Sequence, residues 1–156
     1  MKEYSLANTP SFTLKGKECY CRVVDMYDAD TLTLVLPLFD GYYKFACRVY
    51  GIDTAEIKSA TTELKQLAQK AKNRMLQLCG VSEVKLDGSY NRKEVQELLD
   101  KEVYVVWCKF DDFDKYGRPL VTVYEKEHGR ELAGCLVEEG LAKSYFGGTK
   151  SPLVPH

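Results

Sequence analysis

Three stretches in the first third of the chain have strand patterns: the first is rich in β-favouring residues, and in the other two alternate residues share a face, as in half-buried β-strands. The stretches are residues 20–27, 31–36 and 42–50. We expect Pro37 to help end the second of them, because proline cannot donate to a strand ladder. Asp40-Gly41 is a turn pair of the kind that joins hairpin strands. The pattern therefore predicts a three-stranded meander.

The apolar spacing then changes from that of a strand to that of a helix. The residues on this spacing are Leu64, Leu67, Ala68, Ala71, Met75 and Leu78. Thr61 or Thr62 can cap the N-terminus of such a helix, and Gly80 can follow its C-terminus. We predict a helix over residues 62–79. The charged residues that we expect on its exposed face are Lys65, Lys70, Lys72 and Arg74.

The second half of the chain predicts two more strands and a second helix. We expect strands over 103–110 and 120–124, joined by a loop over 111–119, and a helix over 130–139 that ends at Gly140. The polar segment 81–101 is interpreted as an insertion, with a short helix possible at 94–99. Five strands, with one helix between strands 3 and 4 and another after strand 5, predict an α+β fold, a five-stranded OB-fold barrel.

Composition places these elements in one globular domain. The chain has 156 residues, 45% of them hydrophobic and 29% charged, which is typical of a single domain with a core of its own. We expect an N-terminal arm over 1–16, the folded domain over 17–148 and a C-terminal tail over 149–156. The net charge of −1 gives no overall basic excess, so any nucleic-acid site must be a local patch.

The six cysteines lie mostly in apolar runs, where a free thiol behaves as a small core side chain. They are Cys19, Cys21, Cys47, Cys79, Cys108 and Cys135. They form no Cys-x-x-Cys pair, which disfavours a structural zinc site. The first residues contain no apolar segment of the signal-peptide kind, and no apolar run reaches membrane-spanning length. We therefore expect an intracellular protein with reduced thiols.

Two aspartates lie at the ends of neighbouring predicted strands. Asp30 opens the second strand and Asp53 follows the third, so a meander can bring their carboxylates together. Two adjacent carboxylates need protonation or a cation, and oxygen ligands favour calcium or magnesium. The other interpretation is that both are solvated turn residues, and spacing alone favours it slightly.

Three other charged residues have both a structural and a chemical interpretation. Glu56 is either an exposed acid before the helix or a base that acts on water. Arg48 and Arg118 are either ordinary strand and turn residues or forked donors for phosphate oxygens. The loop after Asp112 looks like half an EF-hand, but Tyr116 stands where that motif needs an oxygen ligand, so we reject it.

Three motifs in order resemble those of the staphylococcal nuclease family, and the resemblance extends from about residue 22 to about 146. The motifs are Asp28-Ala-Asp30-Thr31, the run from Arg48 to Glu56, and Asp114-Lys-Tyr-Gly-Arg118. The resemblance implies an OB-fold barrel that binds calcium through Asp30, Asp53 and the backbone carbonyl of Thr54. It also implies that Glu56 activates water and that Arg48 and Arg118 hold the phosphate. The implied products carry 3′-phosphate ends.

The resemblance also suggests aromatic contacts to the substrate, and it has two departures. Tyr116, Tyr145 and Phe146 are the candidate substrate-binding residues, and packing within the fold is the alternative for each. Where the family has proline before the glutamate, this chain has Ala55, which bears on the placement of Glu56. The final long helix of the family has no counterpart in residues 149–156.

These observations favour a calcium-dependent nuclease acting on DNA and RNA, with no obligate protein partner evident. A non-catalytic module of the same fold, binding nucleic acid or a protein partner, is the alternative, and the near-neutral charge is consistent with it. A general oligonucleotide-binding barrel is the third possibility, but it has no need of the Asp30, Asp53 and Glu56 set.

Overall fold

Seven strands and three helices make up the part of the chain that the computed structural model describes, residues 1–56 and 61–145. The strands are β1 (Glu18–Asp28), β2 (Thr31–Leu38), β3 (Gly41–Val49), β4 (Gly51–Asp53), β5 (Val105–Phe113), β6 (Pro119–Tyr124) and β7 (Lys143–Tyr145). The helices are α1 (Thr62–Leu78), α2 (Arg92–Lys101) and α3 (Leu132–Glu138). None of the described helices is long and apolar enough to cross a membrane.

Five of the strands close into a barrel in the order β1-β2-β3-β6-β5. Neighbouring strands are antiparallel except β3 and β6, which run parallel and close the barrel. Alternate residues of each strand point inward, so that Val23, Leu34, Cys47, Cys108 and Val123 are buried in one core. The predicted OB-type α+β fold is confirmed. All six cysteines are free thiols, as expected.

The strand boundaries differ most from those predicted at β2 and β5, and two further short strands are present. β2 continues through Pro37, because its pairing with β1 ends at Val35 and leaves one side of Pro37 without a strand neighbour. β5 begins at Val105 instead of 103 and extends to Phe113. β4 and β7 form a separate two-stranded sheet that was not predicted, since three residues are too few to show a period.

Helix α1 has the predicted ends. The Thr61 hydroxyl accepts a hydrogen bond from the Leu64 amide at 3.2 Å, which makes Thr61 the N-cap. Gly80 follows the helix at φ +108°, and the Val81 amide donates to the Leu76 carbonyl at 3.0 Å. The exposed position predicted for Lys72 is wrong, because Lys72 is only 5% exposed. Burial lowers the pKa of the Lys72 ammonium, and the carboxylates of Asp28 and Asp25 oppose that shift.

The predicted insertion contains α2, which is longer than the short helix considered at 94–99. A capping box starts it: the Asn91 side chain accepts from the Glu94 amide, and the Glu94 carboxylate accepts from the Asn91 amide. The helix packs on β1. The loop before it is tied to α1 by Asn73, whose buried amide group donates to the carbonyls of Leu86 at 3.1 Å and Gly88 at 2.8 Å.

Candidate active site

The two aspartates that the sequence places at strand ends come together in the structure. Asp30 lies in the two-residue turn between β1 and β2, and Asp53 is the last residue of β4. The Thr54 amide donates to Asp30 Oδ2 at 3.3 Å, and the Val49 amide donates to the Asp30 carbonyl oxygen at 2.8 Å. These bonds join the β1–β2 turn to the ends of β3 and β4. Asp30, Asp53 and Thr54 are all buried.

Arg48 lies between the two carboxylates. Its Nη1 is 3.4 Å from Asp30 Oδ2, and its Nη2 is 3.7 Å from Asp53 Oδ1. The guanidinium also donates to the carbonyl oxygens of Val49 at 2.9 Å and Ile52 at 2.7 Å. Its side chain is only 11% exposed, so this cation balances two buried negative charges and is held rigidly while it does so.

The bend that makes this arrangement possible is at Gly51. Its φ of +87° is strained for residues with a side chain, and it separates β3 from β4. The bend turns the Ile52 carbonyl back toward the Arg48 guanidinium, four residues earlier in the chain. It also directs Asp53 toward Asp30 rather than along the barrel strand.

The oxygen atoms around Asp30 and Asp53 fit a hard cation. Two carboxylates and the backbone of Thr54 lie together, and the buried Thr54 hydroxyl has no hydrogen-bond partner among the described residues. Oxygen donors of this kind suit calcium or magnesium rather than zinc or copper. Within residues 1–56 and 61–145 no group of three or more His, Cys, Asp or Glu side chains could hold a metal. Water and substrate oxygens would therefore have to complete the shell of a bound ion.

Glu56 lies three residues beyond Asp53, at the end of the described segment, and it is exposed. The preceding Ala55 is 8% exposed and belongs to the core. A small buried residue therefore occupies the position where the family resemblance implies proline. The Ala55 contact with the core anchors the backbone immediately before Glu56.

Arg118 is fixed by the β5–β6 loop. Asp114 Oδ1 accepts from the Tyr116 and Arg118 amides, each at 2.9 Å, and Asp114 Oδ2 accepts from Arg118 Nε at 2.8 Å. Gly117 makes this tight loop possible at φ +80°. Burial raises the pKa of Asp114, but the hydrogen bonds from Arg118 and Tyr116 outweigh it, and the pKa is lowered overall. The carboxylate is thus ionised and holds the guanidinium in place.

The two arginines line one cavity of about 300 Å³. Its lining residues are Arg48, Val49, Tyr50, Gly51, Ile52, Asp114, Lys115, Tyr116, Arg118, Leu120 and Tyr145. Tyr116 is 71% exposed, and the Arg118 guanidinium lies 5.6 Å from its ring centroid. The cavity can therefore offer cations to a phosphate and aromatic surface to a flat ring.

The cavity brings together four of the residues selected from the sequence, namely Arg48, Arg118, Tyr116 and Tyr145. Asp30 and Asp53 adjoin it through Arg48, while Glu56 is not among its lining residues. Phe146 lies outside the described residues. Tyr50 is a cavity residue that the sequence analysis did not select, although a tyrosine two residues after Arg48 at a strand end was a usable signal.

A family model described as "Staphylococcal nuclease homologue" matches residues 46–153, which is more than half of the chain. The matched range contains Arg48, Asp53, Glu56 and Arg118 but begins after Asp30, whose place in the site is given by its contacts with Arg48 and Thr54. No curated protein matches the chain.

Proposed function

The chain belongs to the staphylococcal nuclease homologue family, and from this we propose that it is a calcium-dependent nuclease that hydrolyses phosphodiester bonds of DNA and RNA. The observation that carries the proposal is the position of Arg48. It contacts the buried pair Asp30 and Asp53 and lines the same cavity as Arg118. These contacts support a proposed cation site next to a proposed phosphate site, the arrangement that metal-assisted phosphodiester hydrolysis requires.

We assign the metal to the buried oxygen donors. Asp30, Asp53 and the Thr54 backbone carbonyl would hold the calcium ion, which when bound stabilises negative charge on the phosphate and acidifies water. The calcium charge would also relieve Arg48 of balancing both carboxylates. Arg48 is then available to a phosphate oxygen while its two backbone carbonyl bonds keep it in place.

Arg48 and Arg118 act on the phosphoryl group as it reacts. As water bonds to phosphorus, negative charge grows on the equatorial oxygens, and planar guanidinium forks suit that charge better than a lysine ammonium does. Each arginine is held by an acceptor in the protein, Arg118 by Asp114 and Arg48 by main-chain carbonyls. The donors are therefore oriented before substrate arrives, which avoids reorganisation during the reaction.

Glu56 takes the proton of the attacking water in this proposal. The water oxygen bonds to phosphorus and its proton passes to Glu56. The bond from phosphorus to the 5′ oxygen breaks, and the departing 5′ oxygen takes a proton from solvent water. By family resemblance the products are a 3′-phosphate and a 5′-hydroxyl. Glu56 is exposed and follows the buried Asp53 by three residues, which suits a base that must meet solvent water.

Tyr116 and Tyr145 are assigned to the nucleotide base, together with Tyr50. All three line the cavity that contains the phosphate-binding arginines, and aromatic side chains stack on unpaired bases. Phe146, the fourth aromatic candidate, stays a prediction from the sequence.

A second candidate function is supported by the charge of the chain. A protein with a net charge of −1 and with both arginines engaged by its own acceptors could be a binding module that no longer cleaves. This reading predicts that oligonucleotides bind without being hydrolysed, whether calcium is present or not.

The test is cleavage of labelled single- and double-stranded DNA and of RNA by wild type and by Glu56→Gln. The variant should melt as wild type does, because Glu56 is exposed, and should lose about 10²–10⁴-fold in rate. It also controls for contaminating nuclease, which the substitution would not slow. A variant rate within about threefold of wild type would show that Glu56 is not the base. Binding without hydrolysis by wild type would favour the binding module.

A further inference from the structure

The end of β1 is irregular where it leads into Asp30. The pairing of β1 with β2 shifts register between Val23 and Asp25 and again between Met26 and Asp28. Asp28 then pairs with Thr31, which leaves Ala29 and Asp30 as the turn. Bulges of this kind increase local twist and re-aim neighbouring side chains. The direction of the Asp30 carboxylate therefore depends on how this bulged segment is held.

Helix α2 holds the bulged segment from outside the barrel. Asp25 Oδ2 accepts hydrogen bonds from Arg92 Nη2 and Gln96 Nε2, both at 3.0 Å. Asp25 Oδ1 accepts from the Met26 amide at 2.8 Å, so both carboxylate oxygens are in use. Asp25 is buried, and a buried carboxylate that loses its cationic partner is costly. The hydrogen bonds from α2 to Asp25 therefore stabilise the position of this strand segment.

Arg92 makes a second contact across the second bulge. Its guanidinium carbon lies 5.9 Å from the ring centroid of Tyr27, the residue between Met26 and Asp28. One side chain of α2 thus contacts the residues on both sides of Met26. Asp28 follows directly, and Asp30 is two residues further along the chain.

We propose that Arg92 is a positioning residue for Asp30, and that the 81–101 segment serves the active site in this way. The inference rests on the proposed calcium-dependent function. Arg92 does not touch the site. Its contacts with Asp25 and Tyr27 hold the bulged end of β1 in place. The position of this strand end determines whether the Asp30 carboxylate is oriented toward Thr54 and Arg48.

Site-specific readouts separate this role from a purely structural one. The Arg92 side chain is 64% exposed but that of Asp25 is only 12% exposed, so the loss of this pair also lowers global stability, and the Tm alone does not identify the role. Lys101 offers a matched control, since it is also on α2 and forms an exposed ion pair with Glu83 at 3.0 Å. That pair does not involve β1, so its loss should leave the Asp30 turn unchanged.

The experiment compares wild type, Arg92→Leu, Arg92→Lys and Lys101→Met. Calcium chloride binding is measured by titration calorimetry. Hydrogen exchange of the Val49 and Thr54 amides is measured in calcium-free protein, because both amides donate to Asp30. The Phe110 amide, which donates to the carbonyl of Lys17 just before β1 and not to Asp30, is the reference. The exchange readout is independent of metal and of activity.

For Arg92→Leu we expect calcium affinity to fall roughly 3- to 10-fold, in the range of effects that pass through packed networks. Exchange at Val49 and Thr54 should accelerate by a similar factor, and by clearly more than exchange at Phe110. Arg92→Lys should restore part of both effects, and Lys101→Met should match wild type. If Arg92→Leu does not fold, Gln96→Leu is measured in its place, because it removes one of the two hydrogen bonds from α2 to Asp25 Oδ2.

Unchanged affinity and unchanged exchange in Arg92→Leu would overturn the proposal. Uniform acceleration at all three amides with a lower Tm would overturn it too, because Arg92 would then only stabilise the fold. If wild type binds no calcium, the proposed function fails, and the exchange data alone decide whether Arg92 positions Asp30.

Discussion

At the scale of single residues, Arg48 is the side chain that links the proposed cation site to the proposed phosphate site. It is close to Asp30 and Asp53, donates to two backbone carbonyls and lines the cavity shared with Arg118. In the proposed mechanism, calcium takes over the charge of the two carboxylates, while the hydrogen bonds from Arg48 to the backbone carbonyls stay in place. Arg118 has a simpler environment, because one carboxylate holds it, and it is therefore the better residue for a test of phosphate binding.

Arg118→Lys should damage turnover far more than folding. Lysine keeps the charge but loses the planar fork, and a donor aimed at transition-state charge is worth roughly 2.7–4 kcal/mol of barrier. We expect a Tm near that of wild type and a kcat lower by about 10²-fold or more. The measurements are the Tm, the Kd for an uncleavable oligonucleotide and kcat. Native kcat would show that Arg118 is only a turn residue. Lys101→Met on α2, whose side chain does not line the cavity, is the control.

The sequence predicted these residues better than it predicted their contacts. The motifs place Asp30, Asp53 and the two arginines in the chain, but Thr54 donates to Asp30 across 24 residues, which no local spacing reveals. The position of Lys72 was wrong because a charged residue on an amphipathic helix is usually solvated. Here the carboxylates of Asp25 and Asp28 lie close enough to compensate part of the cost of burial.

At the scale of elements, long periodic segments were predictable and short ones were not. β1, β2, β3 and α1 carry clear alternation or helical spacing, and the structure has all four. β4 and β7 have three residues each. They form because they pair with each other, although they lie far apart in the sequence. The full length of α2 was missed because only Val95 and Leu99 of its residues are buried. Its place is instead set by polar contacts with β1.

Asn73→Ala should loosen the segment that precedes α2. The Asn73 side chain is fully buried, donates to the carbonyls of Leu86 and Gly88, and accepts from Gln69 Nε2 at 2.9 Å. Its loss removes the hydrogen bonds to the carbonyls of the half-buried Leu86 and Gly88, which costs roughly 1–3 kcal/mol in the free energy of unfolding. Urea unfolding measures this, with Lys101→Met expected within about 0.5 kcal/mol of wild type. Equal effects of the two substitutions would show that Asn73 does not anchor the segment.

At the scale of the whole molecule, the charge balance limits how DNA can be bound. With 22 Lys and Arg against 23 Asp and Glu, the chain has no general attraction for a polyanion. The described cations that face the cavity are few, namely Arg48, Lys115 and Arg118. Binding should therefore be local to the site rather than spread along a duplex.

We expect duplex DNA binding to be weak and its salt dependence shallow. Each neutralised phosphate contributes about −0.9 to the slope of log K against log salt, so contact with a few phosphates gives a small slope. Fluorescence anisotropy with an uncleavable duplex at several salt concentrations measures it. A slope typical of roughly six or more phosphate contacts would contradict this expectation and show a basic surface beyond the cavity.

Cleavage of DNA in calcium, in magnesium and in excess chelator tests whether the site works through a bound cation. The claim is that the oxygen donors of Asp30, Asp53 and Thr54 hold a hard cation that Arg48 replaces electrostatically in its absence. These donors lie at turns and strand ends, which tolerate the larger, irregular shell of calcium better than the octahedral shell of magnesium. We expect faster DNA cleavage in calcium than in magnesium. Excess chelator should abolish cleavage, and added calcium should restore it. Full cleavage in excess chelator would contradict the account.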